Sequence, residues 1–337
     1  MGEVHGLAVD AAAEGRGRNV TAAQVIGAAS PFTIVCDTDD QDEWLSHRHS
    51  GLGASEIGGI LALPGVAHRS SPLKVFLEKS GALEPEDLSD VEAIDWGHAM
   101  EPVIAGRYAA RTGRPVVTGR KGRFQVLRSK AHPWALCSLD FWTADNDDAE
   151  LRPLEIKNVS AFLAEDWLNG PPDYYYAQVQ QQLLVTGASK ATSALCLGGN
   201  RLLWCDVPRD DEMIRKIVYH GERFWQRLQD NDPPAPDDSA ATKAALARLY
   251  PKDDGSVVVM PAVLLDTVYD WRRLKDEKSE VEKKIRHAEA QIKATIGEAE
   301  RGVFASGEQV SWRTQTTRAH QVSESTFRVL RFHESKL

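Results

Sequence analysis

Four cysteines in 337 residues, Cys36, Cys137, Cys196 and Cys205, are too few and too scattered for a disulfide scaffold, and no CxxC pair offers a zinc site. No apolar run approaches the roughly 18 residues that a membrane span needs. The N-terminus is polar and rich in Ala and Gly, without the apolar core of a signal peptide, so a cytoplasmic location is expected. Cations are the minority charge: 40 Lys and Arg against 49 Asp and Glu leave a net −9 at pH 7. Such a chain does not attract polyanions over its whole surface, and any nucleic-acid contact has to come from a local basic track. What is present, 42% hydrophobic and 26% charged residues, suits one large domain with an appendage.

The most informative stretch runs from Cys137 to Asn158. It reads as two strands, Cys137–Thr143 and Leu154–Asn158, joined by an acidic loop over Ala144–Glu150. Strand side chains alternate between faces, so Leu154 and Ile156 point into a core while Glu155 and Lys157 share the other face. Asp140, on the preceding strand, can converge with them. Two neighbouring carboxylates repel, and a hard divalent cation such as Mg²⁺ relieves that repulsion. A lysine beside such a cation fits a water positioned to attack a phosphate. The plainer alternative is a surface salt bridge across a hairpin.

Other segments supply possible partners. Gly51 and Gly53 precede Ser55, which reads as the N-cap of a short helix containing Ile57, Ile60 and Leu61. A helix start is a ready anion site, and Arg48, seven residues earlier, can add its guanidinium fork. The alternative is a simple cap with a solvated arginine. A helix is expected from Asp95 to Gly113, with Pro102 placing Glu101 close to its start. Glu101 is then either a third carboxylate for the cation or an exposed first-turn residue. Between Arg107 and Lys130 lie eight cations (Arg107, Arg111, Arg114, Arg120, Lys121, Arg123, Arg128 and Lys130) and no acid. A basic track leading to an acidic centre fits a phosphodiester substrate. Helix Asp173–Thr186 carries Gln178 and Gln182 on one face, where a glutamine can reach a water or a phosphate oxygen.

Residues 1–30 read as a loosely attached segment, with a possible helix near Thr21–Ala28, and 233–261 as a Pro/Asp-rich linker. Ala262–Arg301 reads as one long helix stopped by Gly302, with an imperfect heptad seam from Trp271 to Ala299. A hairpin turning at Ser306-Gly307 follows. This 262–337 module is open to oligomerisation, partner binding, DNA guidance or packing on its own core.

Four blocks occur in order: Arg48 with Gly53-Ala-Ser55-Glu56, Trp96-Gly-His-Ala-Met-Glu101, Cys137-Ser138-Leu-Asp140 with Glu155-Ile-Lys157, and Tyr176-Ala-Gln178-Val-Gln180. Together they resemble the YqaJ-like viral recombinase nucleases, the lambda exonuclease type of the PD-(D/E)XK superfamily. The resemblance implies an α/β (α+β) fold, a restriction-endonuclease-like core with a central mixed β-sheet flanked by helices, over residues 31–232. It further implies Mg²⁺-dependent 5′-to-3′ digestion of double-stranded DNA ends, with Mn²⁺ as a substitute. A single-strand annealing protein is the implied partner, in phage-type recombination within a bacterial host. A homo-oligomer, ring-like or trimeric, is also implied. Asp140, Glu155, Glu101 and the carbonyl of Ile156 match the metal-binding positions, Lys157 the catalytic lysine and Gln178 the glutamine that completes the motif. Arg48, Ser55 and Ser138 match the grip on the terminal 5′-phosphate. Leu139 and Phe141 depart from the Pro and Gly that usually flank the motif aspartate. An endonuclease on the same core and a non-catalytic DNA-binding module remain the alternatives.

Overall fold

The computed structural model describes residues 30–118, 124–146, 150–317, 328, 330 and 331. All but residue 30 of the segment expected at 1–30, and the track cations Arg120, Lys121 and Arg123, lie outside the described residues. The chain divides into two compact units at Leu249/Tyr250.

The first unit is a mixed α/β fold with mixed sheets flanked by helices. The expected central mixed β-structure is divided between two sheets. A four-stranded sheet has the order β1 (Phe32–Thr38), β4 (Phe124–Ser129), β5 (Ala135–Cys137), β2 (Leu52–Gly53), with only β2 and β5 parallel. A five-stranded sheet has the order β3 (Val116–Val117), β6 (Phe141–Thr143), β7 (Arg152–Val159), β8 (Lys190–Leu197), β9 (Arg201–Pro208), with only β7 and β8 parallel. The strand expected over Cys137–Thr143 is therefore broken. β5 belongs to one sheet and β6 to the other, and Ser138-Leu139-Asp140 is the bridge between them. Leu139, where the related motifs carry proline, is buried in the main core with Phe32, Leu127 and Trp142.

The helices are α1 (Gln41–Arg48), α2 (Ile57–Ile60), α3 (Pro72–Lys79), α4 (Glu92–Thr112), α5 (Asp173–Thr186), α6 (Asp211–Asp230) and α7 (Ala240–Leu249). Glycines in the left-handed region stop the two that carry site residues: Gly113 (φ 71°) ends α4 and Gly187 (φ 72°) ends α5. On α4, Ile104, Ala105 and Tyr108 pack on Leu154 and Ile156 of β7, whereas Val103 is exposed. α7 lies inside the stretch read as linker. Its Ala245 packs on Leu73 and Leu77 of α3, and Thr242 Oγ1 bonds Ser71 Oγ at 2.8 Å.

Three consecutive glutamines of α5 are fully buried. Gln181 donates to the carbonyls of Leu52 (2.8 Å) and Leu136 (2.9 Å) in the four-stranded sheet. Gln182 donates to Glu155 of β7 in the five-stranded sheet. Gln180 donates to the Pro208 carbonyl at 2.8 Å and accepts the Asp210 N–H at 2.8 Å. Each amide supplies bonds that the adjoining backbone would otherwise lack, so α5 ties the two sheets together.

The second unit contains α8 (Leu264–Ile296) and an antiparallel hairpin, β10 (Arg301–Val303) with β11 (Gln309–Ser311). Gly297 (φ 60°), not Gly302, ends the helix, and Gly302 lies within β10.

Candidate active site

Asp140 stands at the end of the bridge between the sheets, and its Oδ2 accepts the main-chain N–H of Ile156 at 2.7 Å. That bond holds the carboxylate against β7, where Glu155 and Lys157 alternate with the buried Leu154 and Ile156. Lys157 Nζ donates to Glu155 Oε1. α5 completes the enclosure of Glu155: Gln178 Nε2 donates to Oε1 at 2.6 Å and Gln182 Nε2 to Oε2 at 2.5 Å. Gln178 and Gln182 are one helical turn apart and so reach the same carboxylate. Glu155 is only 3% exposed.

The electrostatics show what this cluster lacks. Burial pushes Asp140 well above the ordinary carboxylate range, and Glu155 and Glu101 push it further; Lys157 and the Ile156 N–H oppose the rise. Burial alone would depress Lys157, but the attraction of Glu155 and Asp140 outweighs it and holds the ammonium charged. One lysine thus does not satisfy the acids. Gln182 Oε1, buried beside Glu155, has no partner either. Hard carboxylate oxygens, one of them on a carboxyl whose pKa burial and Glu155 raise, fit Mg²⁺ or Mn²⁺.

Glu101 is not at a helix start. It is the tenth residue of α4, and Pro102 lies in the helix interior. There the proline leaves one carbonyl of the preceding turn without its helical donor. Glu101 is felt electrostatically at Asp140. Among the described residues, ligand atoms of three His, Cys, Asp or Glu side chains come within 4.8 Å of one another only at Cys36, Glu43 and His47. Asp140, Glu155 and Glu101 do not form such a group. At the other group, on β1 and α1, burial and then Glu43, Asp37 and Asp40 push the Cys36 thiol up, away from the thiolate a soft metal requires.

Arg48, Ser55 and Ser138 are brought together by Trp44. Arg48 Nη2 donates to Ser55 Oγ at 2.9 Å, and its guanidinium lies 4.8 Å from the Trp44 ring centroid. The indole N–H donates to Ser138 Oγ at 3.0 Å. Ser55 is not an N-cap. It sits inside a 3₁₀ turn, Ala54–Glu56, closed by the Gly53 N–H donating to Glu56 Oε2 at 2.7 Å. Glu56 is paired with Lys79 at 2.9 Å.

Two more side chains adjoin Lys157. The Tyr175 ring centroid lies 5.0 Å from its Nζ, and Arg69 Nη1 donates to the Tyr175 hydroxyl at 3.3 Å. Arg114, part of the expected basic track, is committed elsewhere. It pairs with both oxygens of Asp206 (3.0 and 3.1 Å) and with Asp145 (2.8 Å), which Arg152 and Lys190 also hold. Arg128 donates to Ser50 Oγ at 2.6 Å. Arg107 and Arg111 are exposed on α4.

Trp44, Tyr175 and Arg69 are the contacts that sequence reading omits. Trp44 had a signal, lying four residues before Arg48 on one helix.

Mixed sheets flanked by helices thus set Asp140, at the end of the bridge, against the strand that carries Glu155 and Lys157. Residues 43–189 match the YqaJ-like viral recombinase domain. It is 29% identical over 278 residues to the uncharacterized protein YqaJ of Bacillus subtilis, covering 81% of this chain and 83% of that one. Among solved structures it is similar to an alkaline exonuclease from Laribacter hongkongensis (20% identity, TM-score 0.45), covering 57% of this chain and 94% of that one. The complex of that exonuclease with dAMP gives 20% identity and a TM-score of 0.46, with the same coverage. No helix among the described residues is long and apolar enough to cross a membrane.

Proposed function

We propose that the protein is a Mg²⁺-dependent exonuclease that digests linear double-stranded DNA from 5′ ends and leaves 3′ single strands for phage-type recombination by annealing. The observation that carries this reading is the convergence of Asp140, Glu155 and Lys157, with the Asp140 carboxyl raised by burial and by the neighbouring Glu155. Asp140 and Glu155 would hold the ion, with Glu101 and the Ile156 carbonyl as further ligands. Mg²⁺ supplies Lewis acidity when bound, lowering the pKa of a water and offsetting charge on phosphate oxygens. Gln178 and Gln182 fix the Glu155 carboxylate, and Lys157 orients the attacking water. Ile156 fixes Asp140 through its N–H.

Arg48, with Ser55 and Ser138, supplies donors for a terminal 5′-phosphate, and Trp44 holds them in place. The exposed Arg107 and Arg111 are candidate backbone contacts. A single-strand annealing protein as partner, a bacterial cytoplasm as setting and self-association into a homo-oligomer complete the reading.

End-labelled linear duplex and covalently closed circular duplex, each with and without Mg²⁺, test it. Linear DNA alone should be degraded, from its 5′ ends and only with Mg²⁺. Cutting of the circle would favour an endonuclease, and binding without cutting a DNA-binding module.

A further inference from the structure

α8 carries an apolar row that the described residues of its own unit leave uncovered. Its 33 residues make a rod of about 50 Å at 1.5 Å per residue. Leu274 (54%), Val281 (52%), Ile285 (51%) and Ile292 (43%) are all exposed. They fall on one stripe, alternating three and four apart with Trp271, Lys278, Ala288 and Thr295. That is a heptad in which Trp271, Lys278, Ile285 and Ile292 take the a positions and Leu274, Val281, Ala288 and Thr295 the d positions. The hairpin reaches only the end of the rod, where Gly302 lies against Ile296. Helices of this kind draw most of their stability from packing an apolar face.

We propose that this stripe pairs two copies of the chain as a parallel, in-register coiled coil. The flanking charges select that arrangement. In a parallel pair each g residue meets the e residue of the next heptad on the other copy. Asp270 then faces Lys275 and Lys284 faces Glu289, both attractive. Glu277 faces Glu282, but Lys278, at the a position between them, reaches the Glu277 carboxylate of the second copy and offsets that repulsion. An antiparallel pair centred on Val281 and Ile285 sets Lys284 against Lys284 and Glu282 against Glu282. β-Branched residues at a with leucine at d favour two strands, and a lone lysine at an a position fixes register at some cost in stability. Within one copy Arg273 holds Asp270 and Glu277, Lys283 holds Glu280 and Lys293 holds Glu289, so the g and e carboxylates Asp270, Glu277 and Glu289 share these partners with the lysines of the second copy. The a/d stripe is the unsatisfied side. The pairing deepens the self-association part of the proposed function, but its test does not depend on nuclease activity.

The full chain and the variant Val281→Glu/Ile285→Glu are compared by light scattering at micromolar concentration. The substituted side chains are exposed, so the melting transition of the first unit should be unchanged. The variant should show half the mass of the parent, whatever contacts the first unit makes with itself. Leu274→Cys should form an interchain disulfide under mild oxidation, because equivalent d residues meet in a parallel pair. Lys283→Cys, on the outer face, and the parent should not. An unchanged mass overturns the proposal, since the stripe would then serve another partner or none. A halved mass without the Leu274→Cys link overturns the parallel register.

Discussion

The indole N–H of Trp44 donates to Ser138 Oγ, two residues before Asp140, while the Trp44 ring carries the Arg48 guanidinium. One side chain therefore joins the candidate end-binding pocket to the bridge that bears the candidate catalytic aspartate.

A charge-assisted hydrogen bond contributes about 1.5–3 kcal/mol, so Arg48→Ala should slow digestion of 5′-phosphorylated ends roughly 10- to 150-fold. Ends bearing a 5′-hydroxyl should slow much less. Trp44→Phe keeps a ring under Arg48 and loses one neutral donor, so the preference should shrink by about 2- to 12-fold. Both rates are measured on one duplex sequence at one salt concentration. An unchanged ratio in Arg48→Ala removes the phosphate-grip reading.

Asp140→Asn and Glu155→Gln each take a formal negative charge from the cation's ligand set. Turnover should fall by about 100-fold or more, while DNA binding survives in a gel-shift assay. Near-parental turnover at saturating Mg²⁺ in either variant would falsify the ligand assignment.

Lys157 is assigned to the water and not to the ion. Lys157→Ala should lose about 10²- to 10⁴-fold in turnover, with Mg²⁺ affinity by calorimetry unchanged or tighter, since a competing cation has gone. Weakened metal binding together with high residual activity contradicts this role.

Asp140 also makes stability depend on pH. Its folded-state pKa is raised, chiefly by burial and then by Glu155. The stabilisation from its proton is fully present below the ordinary value of about 3.9 and is lost as pH rises through the folded value. Without divalent ions, the Tm of the parent should therefore fall more steeply with rising pH than that of Asp140→Asn. Added Mg²⁺ should recover more stability at the alkaline end of the range. Parallel Tm profiles for the two proteins would show that Asp140 ionises freely.

Arg114 offers the opposite expectation. Its guanidinium is spent on Asp206 and Asp145, so Arg114→Ala should cost about 2 kcal/mol of stability. It should leave the salt dependence of DNA binding unchanged. Arg107→Ala and Arg111→Ala should instead reduce that salt slope, each by about one unit, with little effect on Tm.

Much of this was legible in the sequence, for local reasons. Strand alternation alone put Glu155 and Lys157 on one face and Leu154 and Ile156 on the other. Glycine stops fixed the ends of α4 and α5, and a helical turn joined Gln178 to Gln182. What escaped depends on distant chain. Cys137–Thr143 has the composition of one strand, yet its halves pair with β4 and β7 in separate sheets. The run Gln180-Gln181-Gln182 looks like a solvated face because its partners, Leu52, Leu136, Glu155 and Pro208, lie 27 residues or more away in sequence. The basic track showed the density of charge but not that Asp145 and Asp206 claim Arg114. Pro102 argued for a helix start because a local rule cannot see that an exposed helix tolerates it.

The bridge of Ser138, Leu139 and Asp140 has one more consequence. Two residues of chain span at most about 7 Å, and Leu139 is clamped in the core between its neighbours. On the proposed reading, the group that grips a strand end and the group that addresses the bond to be cut are carried on one short covalent ruler. The step length of digestion would then be set by the backbone itself. Mutations that loosen the packing between the two sheets should change how fast the enzyme cuts, while each cut still releases a product of the same size.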